Sequence, residues 1–224
     1  MTGYNDRPVS RLTDWFPPGL MSETKEAVVE EYRRSTIQAA ARRVIARRGL
    51  GGTSMAAIAD EAGVAKGTLY LYFRDRDDLL EHAAGRIFDE LLGHLAGVLA
   101  GSRPFPESLR ELVLTNIRFF DENQGFLRTY MAFKHGDDVA AARHHRRRRP
   151  QYARYLQMLT DYLAAAVRRG DLKTVDPARV ALFLAEGTGG ILRQRLDEPG
   201  RPPEEDVEWI VDLLLNGLCP RRRS

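Results

Sequence analysis

Apolar residues recur at three- and four-residue intervals along most of the chain, and the rhythm breaks at glycine, proline and charge clusters. Between Glu23 and Arg48, Ile37, Ala41, Val44 and Ile45 fall at i, i+4, i+7 and i+8 and form one helical stripe. Arg33, Arg34, Arg42, Arg43, Arg47 and Arg48 occupy much of the remaining surface. Gly49, Gly51 and Gly52 end this helix. Short helices are predicted around Ser54–Ala62 and Ala65–Phe73, then a long one from Asp75 towards Leu99, stopped by Gly101 and Pro104. Further helices are expected at about Pro106–Glu122, Gly125–Lys134, Gln151–Arg169, Pro177–Leu196 and Pro203–Leu218. Asp176-Pro177 is a start signal, with an N-cap acid and proline at the first helical position. Glu204, Glu205 and Asp206 after Pro202-Pro203 place acids at the positive end of another helix dipole. About nine helices, no alternating strand and no internal repeat predict an all-α fold.

Composition narrows the class. The 224 residues are 43% hydrophobic and 29% charged, which is globular and not disordered. No apolar run approaches the roughly 20 residues needed to span a bilayer, and residues 1–10 are polar, so neither a membrane span nor a secretory signal is expected. The single cysteine, Cys219, excludes an internal disulfide framework and a multi-cysteine zinc site. Thirty of the 34 basic residues are arginine, a bias that fits GC-rich coding, and the net charge is only +3. Residues 22–76 hold ten basic and seven acidic residues, so that segment carries a surplus equal to that of the whole chain. Residues 1–22, with Pro8, Pro17, Pro18 and Gly19, read as a flexible arm, the alternative being that Met21 is the true start.

Residues 53–76 carry the informative pattern. Ile58, Ala62, Val64, Leu69 and Tyr72 are spaced so that two short helices share one small core. Ala59 permits close approach, and Gly63 stands where the turn needs positive φ. This is the pattern of a helix-turn-helix, or of an ordinary αα-corner inside a bundle. With Leu69 and Phe73 inward, Lys66, Gly67, Thr68, Tyr70 and Leu71 fall on the outer side or leading end of the second helix. Lys66 can reach a phosphate or a guanine edge, and Thr68 and Tyr70 suit phosphate oxygens or a thymine methyl. Gly67 lets a sugar-phosphate chain come near. Thr53 and Ser54 can cap the first short helix and hold a phosphate at its positive end. Asp75 with Asp78 reads as a capping pair that sets Arg76 at the start of the long helix.

On Thr53-Ser54, Ile58-Ala59, Ala62-Gly63-Val64, Lys66-Gly67-Thr68-Leu69-Tyr70, Tyr72-Phe73 and Asp75-Arg76-Asp77-Asp78-Leu79-Leu80, the sequence resembles the TetR family of one-component transcriptional regulators. The resemblance covers roughly residues 30–80. It implies a DNA-binding domain over residues 23–74 and an effector-binding and dimerisation domain over residues 75–224. It implies DNA contacts from Lys66, Thr68 and Tyr70 on the recognition helix, with Gly67 at the close approach. Backbone contacts follow from Tyr72 and Arg76, and a phosphate supported by Thr53 and Ser54. Ala56-Ala57 departs from the polar or charged residues many members carry there, which leaves fewer direct base readers and the operator sequence open.

The remaining chain has the composition of a helical bundle with a greasy interior. Phe88, Phe119, Phe120, Tyr130, Tyr155, Met158, Tyr162 and Phe183, with Asn116 and Arg128 as polar groups, are the candidate lining of an effector pocket; plain core is the competing reading for each. Leu184, Gly187, Ile191, Trp209, Val211, Leu214 and Leu215 on the last two helices are the expected dimer interface. Glu186–Gly190 lacks the Lys-Ser/Thr of a phosphate-binding loop. The Arg143–Arg149 run reads as a solvated edge, an anion patch being the sharper alternative. The expected function is a cytoplasmic, homodimeric, ligand-responsive DNA-binding regulator, a repressor released from a palindromic operator by a small hydrophobic effector, with no cofactor and no bound metal. The alternative is an all-α metal- or His-dependent hydrolase using the His135–His145 cluster, with Asp137, Asp138 and His144.

Overall fold

The computed structural model describes residues 18–135, 150–198 and 200–217, with side chains placed over residues 25–131 of the first stretch. Eight helices and no strand occur among them. They are α1 (Pro18–Arg48), α2 (Met55–Ala62), α3 (Lys66–Tyr70), α4 (Arg76–Leu99), α5 (Phe105–His135), α6 (Pro150–Arg169), α7 (Pro177–Asp197) and α8 (Pro203–Asn216). The all-α expectation holds.

Three boundaries differ from the sequence reading. Helix α1 begins at Pro18, so residues 18–22 of the expected arm are helical; proline at a first helical position gives up no internal bond. Helix α3 ends at Tyr70, although Tyr72 and Phe73 still donate to the Leu69 carbonyl at 3.0 and 2.9 Å. The two helices expected at Pro106–Glu122 and Gly125–Lys134 are one, because Gly125 is not a stop. A Cβ built there would lie 3.3 Å from the Ala46 Cβ. The glycine lets the backbones of α5 and α1 approach, which offsets its poor helix propensity.

The helix ends are set by local chemistry. Ser54 caps α2, its Oγ accepting from the Ala57 N–H at 3.1 Å. Gly63 closes it at φ 68°, and the Val64 N–H reaches back to the Ala59 carbonyl. Asp75 caps α4 by accepting from the Asp78 N–H at 2.8 Å. Burial pushes the Asp78 carboxyl up, but hydrogen bonds from the Arg74 N–H and guanidinium outweigh that and hold it below its usual range. Asp75→Ala removes the cap acceptor from a 24-residue helix. We expect a loss of about 1 kcal/mol, read as a melting temperature lower by about 2–4 °C in helical circular dichroism.

Two cores lie among the described residues. The first gathers Ile37, Ala41, Val44 and Ile45 of α1, Ile58 and Ala59 of α2, Leu69 of α3 and the adjoining Phe73. It runs on through Leu79, Leu80, Ala83, Ala84 and Ile87 of α4 into Phe119, Phe126, Leu127 and Tyr130 of α5. The second lies between the far half of α4, the first half of α5 and helices α6, α7 and α8. Leu91 packs against both.

Candidate nucleic-acid interface and effector region

Helix α3 is held from one side only. Leu69 is fully buried and Phe73 nearly so, whereas Lys66, Gly67, Tyr70 and Leu71 are exposed and Thr68 is half-buried. At 100° per residue, Gly67 and Leu71 stand most nearly opposite Leu69. A Cβ on Gly67 would meet nothing within 4 Å, and its φ is not positive. Neither packing nor backbone conformation within the chain therefore calls for glycine at this position.

The flank of α3 is fixed by a residue whose role the sequence did not reveal. The Arg34 guanidinium sits 5.4 Å from the Tyr72 ring centroid and 5.9 Å from that of Phe73, and its Nη1 donates to the Tyr72 carbonyl at 3.2 Å. Its partner lies 38 residues away, so no local pattern could point to it. Tyr72 is accordingly half-buried against α1.

Thr53 is a correction. It is buried, and its hydroxyl donates to the Gly49 carbonyl at 2.6 Å, so it closes the α1–α2 loop and has no hydroxyl to offer a phosphate. Ser54 remains exposed at the start of α2. Arg76 is half-buried and donates to the Thr53 carbonyl at 3.4 Å, fastening α4 to that loop.

The basic surplus of this segment is also smaller at the surface than its count suggests. Arg43 and Arg47 both bind Glu61, the former at 2.7 Å, and their hydrogen bonds hold its carboxyl below the usual range. Glu61 thus favours the folded state above the ordinary carboxylate range and loses that contribution as the pH falls through its lowered value. Arg42 grips Glu90 with 3.0 and 2.8 Å bonds and reaches Asn123 at 2.5 Å. Arg86 binds Glu31 at 2.6 Å. These arginines join α1 to α2, α4 and α5. On α3 itself the cation is Lys66.

The ten candidate effector-lining residues do not form one pocket. Asn116 is buried and its Nδ2 donates to the Tyr155 hydroxyl at 2.9 Å, a polar pair beside the second core. Phe119 lies nearby in sequence, with its ring edge against His94 at 5.4 Å. Phe120 and Tyr130 belong to the first core, where Tyr130 stacks on Phe126 at 5.7 Å. Phe88 is half-buried on α4. Met158 and Tyr162 line a separate cleft of about 980 Å³ at the α4–α5 corner with Arg103, Phe105, Ser108 and Arg169. Arg128 and Phe183 are corrections: both are exposed, Phe183 to 61%, because each falls on the outer side of its helix.

The expected dimer residues divide in the same way. Leu184 and Val211 are buried in the chain's own second core, and Ile191, Leu214 and Leu215 pack half-buried against it. Leu184 and Val211 are therefore not free to meet a partner. Gly187 and Trp209 are exposed, together with Leu182 and Phe183, which the sequence reading had not placed there.

His144, His145 and the Arg143–Arg149 run lie outside the described residues, as does Cys219, and of His135 only the backbone is described. Among the described residues no group of three or more His, Cys, Asp or Glu is placed to hold a metal. No described helix is long and apolar enough to cross a membrane.

A helix-turn-helix whose second helix is buried on one side and bare on the other, carried on an all-α bundle, defines the DNA-binding class of fold. Residues 37–83 match the family described as bacterial regulatory proteins, tetR family. An HTH-type transcriptional regulator of Haemophilus influenzae is 40% identical over 85 residues, 38% of this chain and 46% of that protein. The HTH-type transcriptional regulator BetI of Burkholderia thailandensis is 32% identical over 109 residues, 47% of this chain and 54% of its own length. The matches thus span about half the length of these curated relatives. Among solved structures, a TetR/AcrR-family transcriptional regulator from Thermobifida fusca superposes with a TM-score of 0.61 at 26% identity, over 85% of this chain and 99% of that one. FadR from Bacillus subtilis, solved with stearoyl-CoA, shares the fold at a TM-score of 0.62 and 17% identity, over 83% of this chain and 99% of its own. Residues 37–83 thus form a DNA-binding domain of the TetR type, and over the rest of its length the chain is similar to TetR-family regulators in fold. Its relatives and structural neighbours are regulators, which sets the hydrolase reading aside.

Proposed function

We propose that this chain is a homodimeric repressor that binds a palindromic operator in the cytoplasm and leaves it when a hydrophobic effector binds the bundle. The observation that carries the reading is the outward side of α3. Lys66, Gly67 and Tyr70 are exposed on the sides of α3 that the buried Leu69 leaves free, Gly67 most nearly opposite it. In a two-fold dimer the two α3 helices would enter major grooves about 34–36 Å apart, or a multiple of that spacing. Exposed Leu182, Phe183, Gly187 and Trp209 support pairing through α7 and α8; a sedimentation-equilibrium mass of one chain would remove it. The Asn116–Tyr155 pair beside an apolar core supports a ligand with a long apolar body and a polar end. Stearoyl-CoA, named for the Bacillus subtilis neighbour, is the first such ligand to try. Effector binding that favours a different tilt of α4 and α5 would change the α3 spacing, and DNA would weaken effector binding by the same factor.

Fluorescence anisotropy on a duplex from upstream of the chain's own gene tests the reading. Binding should be sequence-selective and should weaken steeply with salt. Tyr70→Ala, which removes an exposed side chain and no core contact, should fold normally and bind about tenfold more weakly. Equal binding by the variant would take α3 out of the interface.

A further inference from the structure

Leu71 follows α3 directly, in helical conformation at φ −71° and ψ −26°, and is 79% exposed. It stands one helical turn beyond Gly67, on the line farthest from the buried Leu69, while its neighbours Lys66, Tyr70 and Arg74 are polar-tipped and exposed. Its side chain carries no donor or acceptor, so it can neither bind a phosphate nor bond to a base edge. In the major groove the one apolar group a base pair presents is the C5-methyl of thymine. Gly67, lacking a side chain on the same line, lets this part of α3 come close enough for a short side chain to reach the groove floor.

Building on the proposal that α3 enters the major groove, we propose that Leu71 is a specificity residue that selects thymine by packing on its methyl group. No polar contact accompanies it, so the selection rests on one apolar contact. The loss when the methyl is absent should therefore be modest, about threefold to fivefold per site.

The test uses the full chain and the duplexes it enriches from a randomised pool. Each thymine of the enriched duplex is replaced singly by deoxyuridine, which differs only by the methyl, and affinities are measured for the wild type, Leu71→Ala and Leu71→Met. We expect one position per half-site where the wild type loses about threefold to fivefold. Leu71→Ala should be indifferent at that position, while Leu71→Met, which keeps an apolar end, should retain the sensitivity. A wild type indifferent to every replacement overturns the inference, and so does the same sensitivity persisting in Leu71→Ala, because another residue would then read the methyl. Enrichment of no duplex at all overturns the DNA-binding reading and takes this inference with it, whereas enrichment without coupling overturns this inference alone.

Discussion

Gly67→Leu leaves the fold intact, raises its stability slightly and lowers affinity for operator DNA about a hundredfold, near 2.7 kcal/mol. Within the chain the replacement costs nothing. Gly67 has helical backbone, a Cβ there meets no atom within 4 Å, and leucine is a better helix former by several tenths of a kcal/mol. Against DNA the same side chain stands on the line opposite Leu69, between α3 and any surface that α3 approaches. A close-packed contact cannot absorb four added carbons without displacement. Stability and binding are thus predicted to move in opposite directions, an outcome that general damage to the fold cannot produce. Thermal melts and anisotropy titrations on the same preparation check it. Unchanged affinity would mean that α3 does not lie close against the duplex.

Arg195→Leu should cost about 3 kcal/mol of stability and lower the melting temperature by about 6–12 °C. The Arg195 side chain is 5% exposed and holds three elements together. It donates to Asp121 of α5 at 3.1 and 2.6 Å, to Asp206 of α8 at 2.6 Å and to the Arg201 carbonyl at 2.7 Å. The hydrogen bonds it donates to Asp121, reinforced by the one to Asp206, outweigh burial and raise its pKa, so the guanidinium stays charged. Removing it leaves Asp206, 8% exposed, with Arg201 as its remaining ion-pair partner. A buried carboxylate left with one of its two cationic partners loses more than the broken pair contributed. Arg195→Lys should recover only part of the loss, because an ammonium cannot reproduce the planar fork that meets four acceptors. Arg195→Leu combined with Asp206→Leu should melt above Arg195→Leu alone. If the single variant melts with the wild type, the network carries no stability.

The helix-turn-helix was legible because its determinants are local. Ser54 caps a bond three residues away, Gly63 supplies the turn, and Asp75 caps Asp78. The roles of Thr53 and Arg34 were not legible, since the first depends on how the α1–α2 loop folds back onto Gly49 and the second on a ring 38 residues distant. Helix α7 itself was legible, but which of its faces is buried was not, for a different reason. Val180, Ala181, Leu182, Phe183, Leu184 and Ala185 are apolar in unbroken succession, so periodicity alone could not say that Leu184 turns inward and Phe183 outward. Gly125 misled because a glycine that ends a helix and one that lets two helices touch look the same in sequence. Arg195 is matched to acids 74 and 11 positions away, and nothing around it marks it as buried.

The shared inner lining of α1, α2, α3, α4 and α5 bears on how the chain can be re-engineered. A fragment ending near residue 74 would strip Leu80, Ala84 and Phe126 from the core that Ile37, Ile58 and Phe73 share with them. The reading head is therefore no portable cassette. Chimeras that splice another regulator's first three helices onto this body must carry matching replacements at those covering positions, or else confine the exchange to the bare outer line of α3.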